Sequence, residues 1–294
     1  MKNYLANFFR NSNSKLIYPQ SWIALKFRKI IFFISTILYR YWLKRTSTSD
    51  YYILNDIDED ITMRVDASKV MGAAFYWIGF HEFKEWRYLQ RFLKPDMVFL
   101  DVGANQGEYT LFAAKRLTKG AVIAFEPVDE IYEQLHRNIA LNHFINIKTL
   151  KLGLSDSVGV LPIYEMQATG ANHEGLATLF QSELRGKVIQ QIQLDTLDNL
   201  ALQLNLQRID FIKVDIEGAE LSMLKGARET ISRFRPQVMV EMNDDTFKAA
   251  GYSKTQVIEF FDQLGYKANA IDRQGELIPI LSFNIFSNVI FVPQ

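Results

Sequence analysis

The stretch Phe99-Leu100-Asp101-Val102-Gly103-Ala104-Asn105-Gln106-Gly107 reads as an apolar strand that ends in a carboxylate, a glycine turn and the start of a helix near Gly107. Gly103 and Gly107 would let the backbone approach a ligand closely. Tyr109, Phe112, Ala113 and Leu117 follow at helical spacing. Nineteen residues past Gly107, a second apolar strand over 121–125 ends in Glu126-Pro127. An acidic side chain at the neighbouring strand end suits the two hydroxyls of a ribose. The two elements together read as a nucleoside-cofactor site.

The turn itself selects the cofactor. A dinucleotide fingerprint requires Gly-x-Gly-x-x-Gly, so that a helix N-terminus meets a pyrophosphate. Here the pattern is Asp-x-Gly-x-x-x-Gly, and Asp101 would repel a pyrophosphate while attracting a cation or accepting from an amine. No P-loop pattern occurs. S-adenosylmethionine fits, with its sulfonium cation, amino-acid tail and ribose and no phosphate. Gly103 and Asn105 would line the amino-acid tail through backbone groups, Asp101 would accept from the amine, and Glu126 would take the ribose. Asp156, after a third strand over 147–152, is placed to reach the adenine amine or to cap the following turn.

Two further strands, over 209–214 and 237–240, end in Asp215 and Glu241, so four carboxylates fall on the rim where such sheets bind ligands. Asp215, Lys213 and Glu241 are the candidates for the chemical step. An alcohol must lose a proton as it accepts a methyl group, and Asp215 is the candidate base. Lys213 sits in an apolar strand, where a lone cation is costly. It reads either as an ion pair with Asp215, Glu217 or Glu241, or as a lysine of lowered pKa acting on the acceptor hydroxyl. Asp215, Glu217, Glu241 and Asn243 also form an oxygen set of the kind that holds Mg²⁺. The four histidines have no metal-ligand spacing; His136 and His143 read as surface residues, while His81 and His173 could face the acceptor.

These residues need a large α/β scaffold, and 294 residues with 48% apolar content supply one. The chain has no cysteine, which excludes disulfides, thiolate nucleophiles and Cys-based zinc sites. Strands and helices alternate from residue 94 onward, as in a parallel sheet. Helices are expected over 82–93, 129–142, 196–204, 218–234 and 253–265. Segments 266–271 and 287–292 would close the sheet as an antiparallel pair. Residues 157–194 break the alternation as an inserted hairpin with a polar loop around 170–175. Ahead of the domain, 50–93 should form a hairpin (51–54 against 61–65) and a helix leading into the core.

The net charge of zero conceals an asymmetry: residues 1–49 carry nine Lys/Arg and no acid, leaving 24 basic against 33 acidic residues beyond. Residues 22–45 read as a helix apolar almost all round, with Ile23, Phe27, Ile30, Ile31, Ile34, Leu38 and Tyr41 on one stripe. Its uncharged run, 30–39, would be roughly 15 Å long against a ~30 Å hydrocarbon core, too short to span. The helix either lies on an anionic membrane surface, with Trp22, Phe27, Ile30, Phe33 and Trp42 at the headgroup boundary, or covers the domain or a second subunit, making a homodimer.

The combination Phe-Leu-Asp-Val-Gly-Ala-Asn-Gln-Gly, Phe-Glu-Pro, Leu-Ser-Asp, Thr-Leu-Asp and Ile-Asp-Phe-Ile-Lys-Val-Asp-Ile-Glu-Gly-Ala-Glu, over residues 80–294, resembles the FkbM-type methyltransferases. Lys213-Val214-Asp215-Ile216-Glu217-Gly218 with Thr196-Leu197-Asp198 carries most of the likeness. The resemblance implies an α/β, Rossmann-like class I methyltransferase fold, with a seven-stranded, mostly parallel sheet and helices on both faces. It also implies S-adenosylmethionine as donor and O-methylation, often of sugar hydroxyls on glycans or natural products. The expected organisation is an N-terminal helical extension (1–49), a leading segment (50–93) and the methyltransferase domain (94–294). The expected partner is a small-molecule or glycan acceptor and not nucleic acid, and the expected place is the cytoplasm, peripheral on the inner membrane. An NAD-linked oxidoreductase and a non-catalytic, membrane-associated module of the same fold are the alternatives.

Overall fold

The computed structural model describes residues 2–18, 22–43, 49–166, 177–178, 185–280 and 286–294, which fall into two compact units. The described part of the first unit lies within Met1–Phe92 and His136–His143. It contains α1 (Lys2–Ser14), α2 (Trp22–Leu43), β1 (Tyr51–Ile57), β2 (Ile61–Asp66), α3 (Val70–Trp77) and α4 (Phe83–Phe92). The hairpin expected here is present, β1 running antiparallel to β2 with Tyr51 opposite Asp66 and a bulge before Ile57. Asn138 and Asn142 accept from the Arg64 and Thr62 amides, closing the free edge of β2.

Helices α1 and α3 escaped the sequence reading for opposite reasons. The buried stripe of α1 is Ala6, Phe9, Arg10 and Asn13, whose spacing is helical but whose composition is half polar. Arg10 is held by Asp56 at 2.7 Å and donates to the Tyr76 carbonyl, and Asn13 donates to Ser35. In α3 nearly every residue is apolar and buried, which leaves no period to detect. Trp42, expected at a membrane boundary, turns inward instead: its indole donates to the Ala67 carbonyl and packs on Tyr76 and Trp77.

The second unit holds β3 (Val98–Val102), α5 (Glu108–Arg116), β4 (Ala121–Phe125), most of α6 (Asp129–Ala140), β5 (Ile147–Leu150), β6 (Gly153–Leu154), β7 (Gly159–Met166), β8 (Ala177–Thr178), β9 (Arg185–Asp195) and α7 (Leu197–Gln203). It continues with β10 (Phe211–Val214), α8 (Glu220–Lys225), α9 (Arg228–Phe234), β11 (Gln237–Asn243), α10 (Asp244–Ala249), α11 (Lys254–Gln263), β12 (Tyr266–Ile271), β13 (Leu277–Pro279) and β14 (Phe286–Pro293). Among the described residues one sheet has the order β13-β12-β14-β11-β10-β3-β4-β5. The run from β11 to β5 is parallel, and β14 lies antiparallel between β11 and β12. The expected seven-stranded sheet is there; an eighth strand, β13, pairs with β12 at its edge.

Register divides the chemistry between the two faces. Phe125, Val102, Val214, Val240 and Val289 are paired across the sheet and share one core with residues of α7, α8, α9 and α11. The other face carries Ala124, Asp101, Lys213 and Met239 in register, and α5 reaches it through Thr110. Helices therefore cover both faces.

Two elements depart from expectation. The helix over 218–234 is two helices, because Gly226 packs against the Ser155 carbonyl, where a Cβ would come within 2.0 Å, and the chain must turn there. Among the described residues the insert joins β6 in a four-stranded sheet of order β6-β9-β7-β8 rather than forming an isolated hairpin; the expected loop around 170–175 lies outside the described residues. Its core, Ile163, Ile192 and Leu194, packs on Val128 and Ile131.

Candidate active site

Asp101 and Lys213 are register partners on adjacent strands, so their side chains leave the same face of the sheet. Asp101 does not stand at the rim; it lies inside β3, fully buried. Its Oδ2 accepts from the Thr110 hydroxyl at 2.6 Å, and its Oδ1 is buried without a hydrogen-bond partner. Burial raises its pKa, and Lys213 and Thr110 oppose the rise. Lys213 contacts Asp215 Oδ2 at 3.1 Å, donates to the Gly103 carbonyl at 3.3 Å and lies 5.1 Å from the Tyr109 ring centre. Of the two readings for this lysine, the ion pair with Asp215 is the arrangement present.

The glycines answer to the protein. A Cβ at Gly103, whose φ is +80°, would sit 1.9 Å from the Asp215 carbonyl oxygen. At Gly107, φ +99°, it would meet Leu135 at 2.9 Å. The close approach expected toward a ligand is thus made first by β10's exit and by α6. The amides of Gly103 and Ala104 both donate to the Phe125 carbonyl. Asn105 has φ +48° and donates its amide to Glu126 Oε2 at 3.0 Å, so that N–H is already committed.

Glu126 follows β4 directly and is buried. Its other oxygen accepts from the Val128 amide at 3.0 Å. Burial pushes its carboxyl up to about 7, although both amides and Lys213 pull the other way. Gln190 of the insert fastens the next residues, accepting from the Asp129 amide and donating to the Pro127 carbonyl, both at 2.9 Å.

Past β10, Asp215 retains 31% side-chain exposure and Lys213 only 6%. Glu217 takes φ +52° and Gly218 φ +102°, a left-handed pair in which Glu217 bears the strain. Glu220 stabilises this turn from below: fully buried, it accepts from the Ile216 and Gly218 amides at 3.0 Å and from the Tyr252 hydroxyl at 3.0 Å. Burial, then the charges of Asp215 and Glu220, push Glu217 up to about 8; burial likewise lifts Glu220 to about 7.

The remaining residues divide sharply. Glu241 lies within β11, opposite Asn288, and not at a strand end. Asn243 caps α10, accepting from the Asp245 amide. Among the described residues no group of three or more His, Asp or Glu could hold a metal ion. Asp156 is exposed and accepts from Ser157. Thr196 caps α7, and Asp198 accepts the Glu229 and Thr230 amides at the start of α9, so Thr-Leu-Asp fixes helices. His81, His136 and His143 are exposed; His173 lies outside the described residues.

Thr110, Tyr109, Glu220, Tyr252 and Gln190 were not singled out by sequence. Glu220 had a signal, an acid two residues past the Glu217-Gly218 pair; Gln190 had none. Chemically, Asp101, Glu126, Glu217 and Glu220 are four carboxyls raised by burial, and Lys213 opposes the rise at the first three. Together with the buried, unpaired acceptor at Asp101 Oδ1, that excess of carboxyls fits a cationic ligand with hydrogen-bond donors.

Residues 101–268 match the model of the methyltransferase FkbM domain. Over 174 residues the chain is 32% identical to methyltransferase sdnD of Sordaria araneosa, covering 51% of this chain and 67% of that protein. It is 24% identical over 152 residues to 2-O-methyltransferase NoeI of Sinorhizobium fredii, covering 48% and 62%. The crystal structure of methyltransferase FkbM from Methylobacillus flagellatus KT aligns with a TM-score of 0.44 at 15% identity, over 98% of this chain and 60% of that one.

Proposed function

The chain belongs to the FkbM family of S-adenosylmethionine-dependent methyltransferases, and from that premise we propose that it methylates a hydroxyl, most simply that of a sugar in a glycan, glycolipid or natural product. The observation that carries the reading is the Asp101–Lys213–Asp215 line running from a buried carboxylate to a partly exposed one. NoeI, named a 2-O-methyltransferase, supports oxygen as the methylated atom; the sugar comes from the family resemblance.

When bound, the donor supplies a methyl group already activated on a sulfonium. Asp101 would offer its unpaired Oδ1 to the donor's amine. Glu126 uses one acceptor direction of each oxygen on a backbone amide and keeps the others for the ribose hydroxyls. Gly103, Asn105 and Gly107 shape the turn between them. Asp156 would meet the adenine side from its exposed turn. Lys213 holds the Gly103 carbonyl and Asp215 in one geometry, so it positions both sides of the site.

Asp215 would take the acceptor's proton, because it alone joins surface exposure to the buried line. A second reading gives that proton to Glu217, whose carboxyl, pushed up to about 8, is the better base near neutral pH. Glu241 has the weakest claim, given its place within a strand. The family membership removes the nicotinamide and non-catalytic alternatives. We assign the enzyme to the cytoplasm.

Calorimetry with S-adenosylmethionine and S-adenosylhomocysteine tests the donor site. Transfer of labelled methyl groups into extracts of the native cell, with the product identified, tests the acceptor. A label recovered on nitrogen or carbon overturns O-methylation, and a label on a hydroxyl outside any sugar overturns the acceptor class.

A further inference from the structure

Helix α2 is apolar on two faces, and among its described side chains one face is docked and the other exposed. Ile31 and Ser35 are buried, Phe32 packs on Phe80 and Phe83, and Trp42 packs on Tyr76 and Trp77, all within the first unit. Ile30, Phe33, Ile34, Ile37 and Tyr41 remain 43–66% exposed. Their spacing is that of one helical stripe. It differs from the stripe expected from sequence, since Ile31 belongs to the docked face and Phe33 to the free one. On α1, which packs against α2, Tyr4, Leu5 and Phe8 are exposed as well.

Charge selects the occupant. No acid occurs in residues 1–49. Arg10 is consumed by Asp56, and Arg28 donates to the Ser12 carbonyl at 2.8 Å, so neither is open to a partner in full. Lys29 and Arg40 are exposed and, at about 100° per residue, flank the stripe on the Phe33 side. Lys15 is exposed too. A second copy docked through the same face would offer these cations no acid to pair with, since residues 1–49 contain none. An anionic lipid surface neutralises them and accepts the apolar side chains at the headgroup boundary. Among the described residues no helix is long and apolar enough to cross a membrane, so α2 would lie along it.

We infer that the exposed face of α2, with Ile30, Phe33, Ile34 and Ile37 flanked by Lys29 and Arg40, docks on an anionic bilayer surface. The inference is independent of the chemistry assigned to the second unit.

Flotation of the full chain with phosphatidylcholine vesicles, with and without phosphatidylglycerol, tests it. The chain should float with the anionic vesicles, and high salt should reduce the bound fraction. Phe33→Ser with Ile37→Ser should weaken binding by roughly tenfold or more for each side chain removed from the lipid. Lys29→Glu with Arg40→Glu should weaken binding to anionic vesicles and flatten the salt dependence. All four positions are exposed, and S-adenosylmethionine binding measured on the same preparations checks that each variant is folded. No flotation by the parent chain overturns the inference. So does a dimer, seen by light scattering, that Phe33→Ser/Ile37→Ser dissolves without any vesicle binding. Loss of donor binding in the parent chain would instead strike the methyltransferase reading and leave this one standing.

Discussion

Two acidic turns of the second unit, the one after β4 and the one after β10, solve the problem of buried carboxylates differently. Glu126 is satisfied by two backbone amides and stays in ordinary geometry. Glu217 is forced into a left-handed backbone beside Asp215 and above Glu220, whose own oxygens hold the turn. The first arrangement presents fixed acceptors to a ligand. The second buries Glu217 beside the charges of Asp215 and Glu220, and burial first, then those charges, raise its hold on a proton. On the proposed reading, recognition of the donor and handling of a proton are divided between strand ends on either side of β3, with Lys213 holding the Gly103 carbonyl and Asp215.

The division is tested most severely at Asp215. Asp215→Asn should lower kcat by about 10²–10⁴ while leaving donor affinity nearly unchanged. If Glu217→Gln shows that loss and Asp215→Asn does not, the proton moves to Glu217 and Asp215 becomes Lys213's partner alone. Gly103→Ala is expected to cost about 3 kcal/mol or more in stability, from overpacking against the Asp215 carbonyl and an L residue at positive φ. Denaturant unfolding measures it; a neutral result would mean that the two turns can separate freely.

Glu126→Ala should weaken donor binding by about 1.5–3 kcal/mol for each charged hydrogen bond lost, read by calorimetry on a protein whose melting is checked in parallel. Unchanged affinity would remove the ribose assignment. The pH dependence is a milder test. Glu126, Glu217 and Glu220 have folded values of about 7, 8 and 7 against an ordinary 4.5. The folded state therefore binds protons more tightly than the unfolded one. The stability this contributes is complete below the unfolded value and is lost as pH rises through the folded values. Without donor, the melting temperature should fall between about pH 5 and pH 8, and the stabilisation on adding cationic donor should grow over the same window. A flat profile would say that these carboxyls are ionised at no cost. Gln190→Ala should have the smallest effect, about 1 kcal/mol in stability, with a larger loss in donor affinity than its distance in sequence suggests.

What the sequence revealed was set by locality. Asp101, Gly103 and the helix after Gly107 lie within one strand-turn-helix unit, and Glu126 follows at the spacing of the next unit, so element order and sheet could be read directly. Glu126's amide partners, Asn105 and Val128, are implied by no pattern. The depth of Asp101 was misread because a strand's last residue and its penultimate one differ by burial and not by type. Glu241 was misread for the same reason, since β11 runs on through Met242 and Asn243. The break at Gly226 depends on Ser155, some seventy residues away in sequence, and no local propensity announces it.

Gln190 has a consequence for how such an enzyme could diversify. One amide group, accepting from Asp129 and donating to Pro127, registers the inserted sheet against the segment that carries Glu126. The outer strands of that sheet can then vary while this two-pronged bond, with the apolar contact of Ile163, Ile192 and Leu194 on Val128 and Ile131, keeps the Glu126 turn in place.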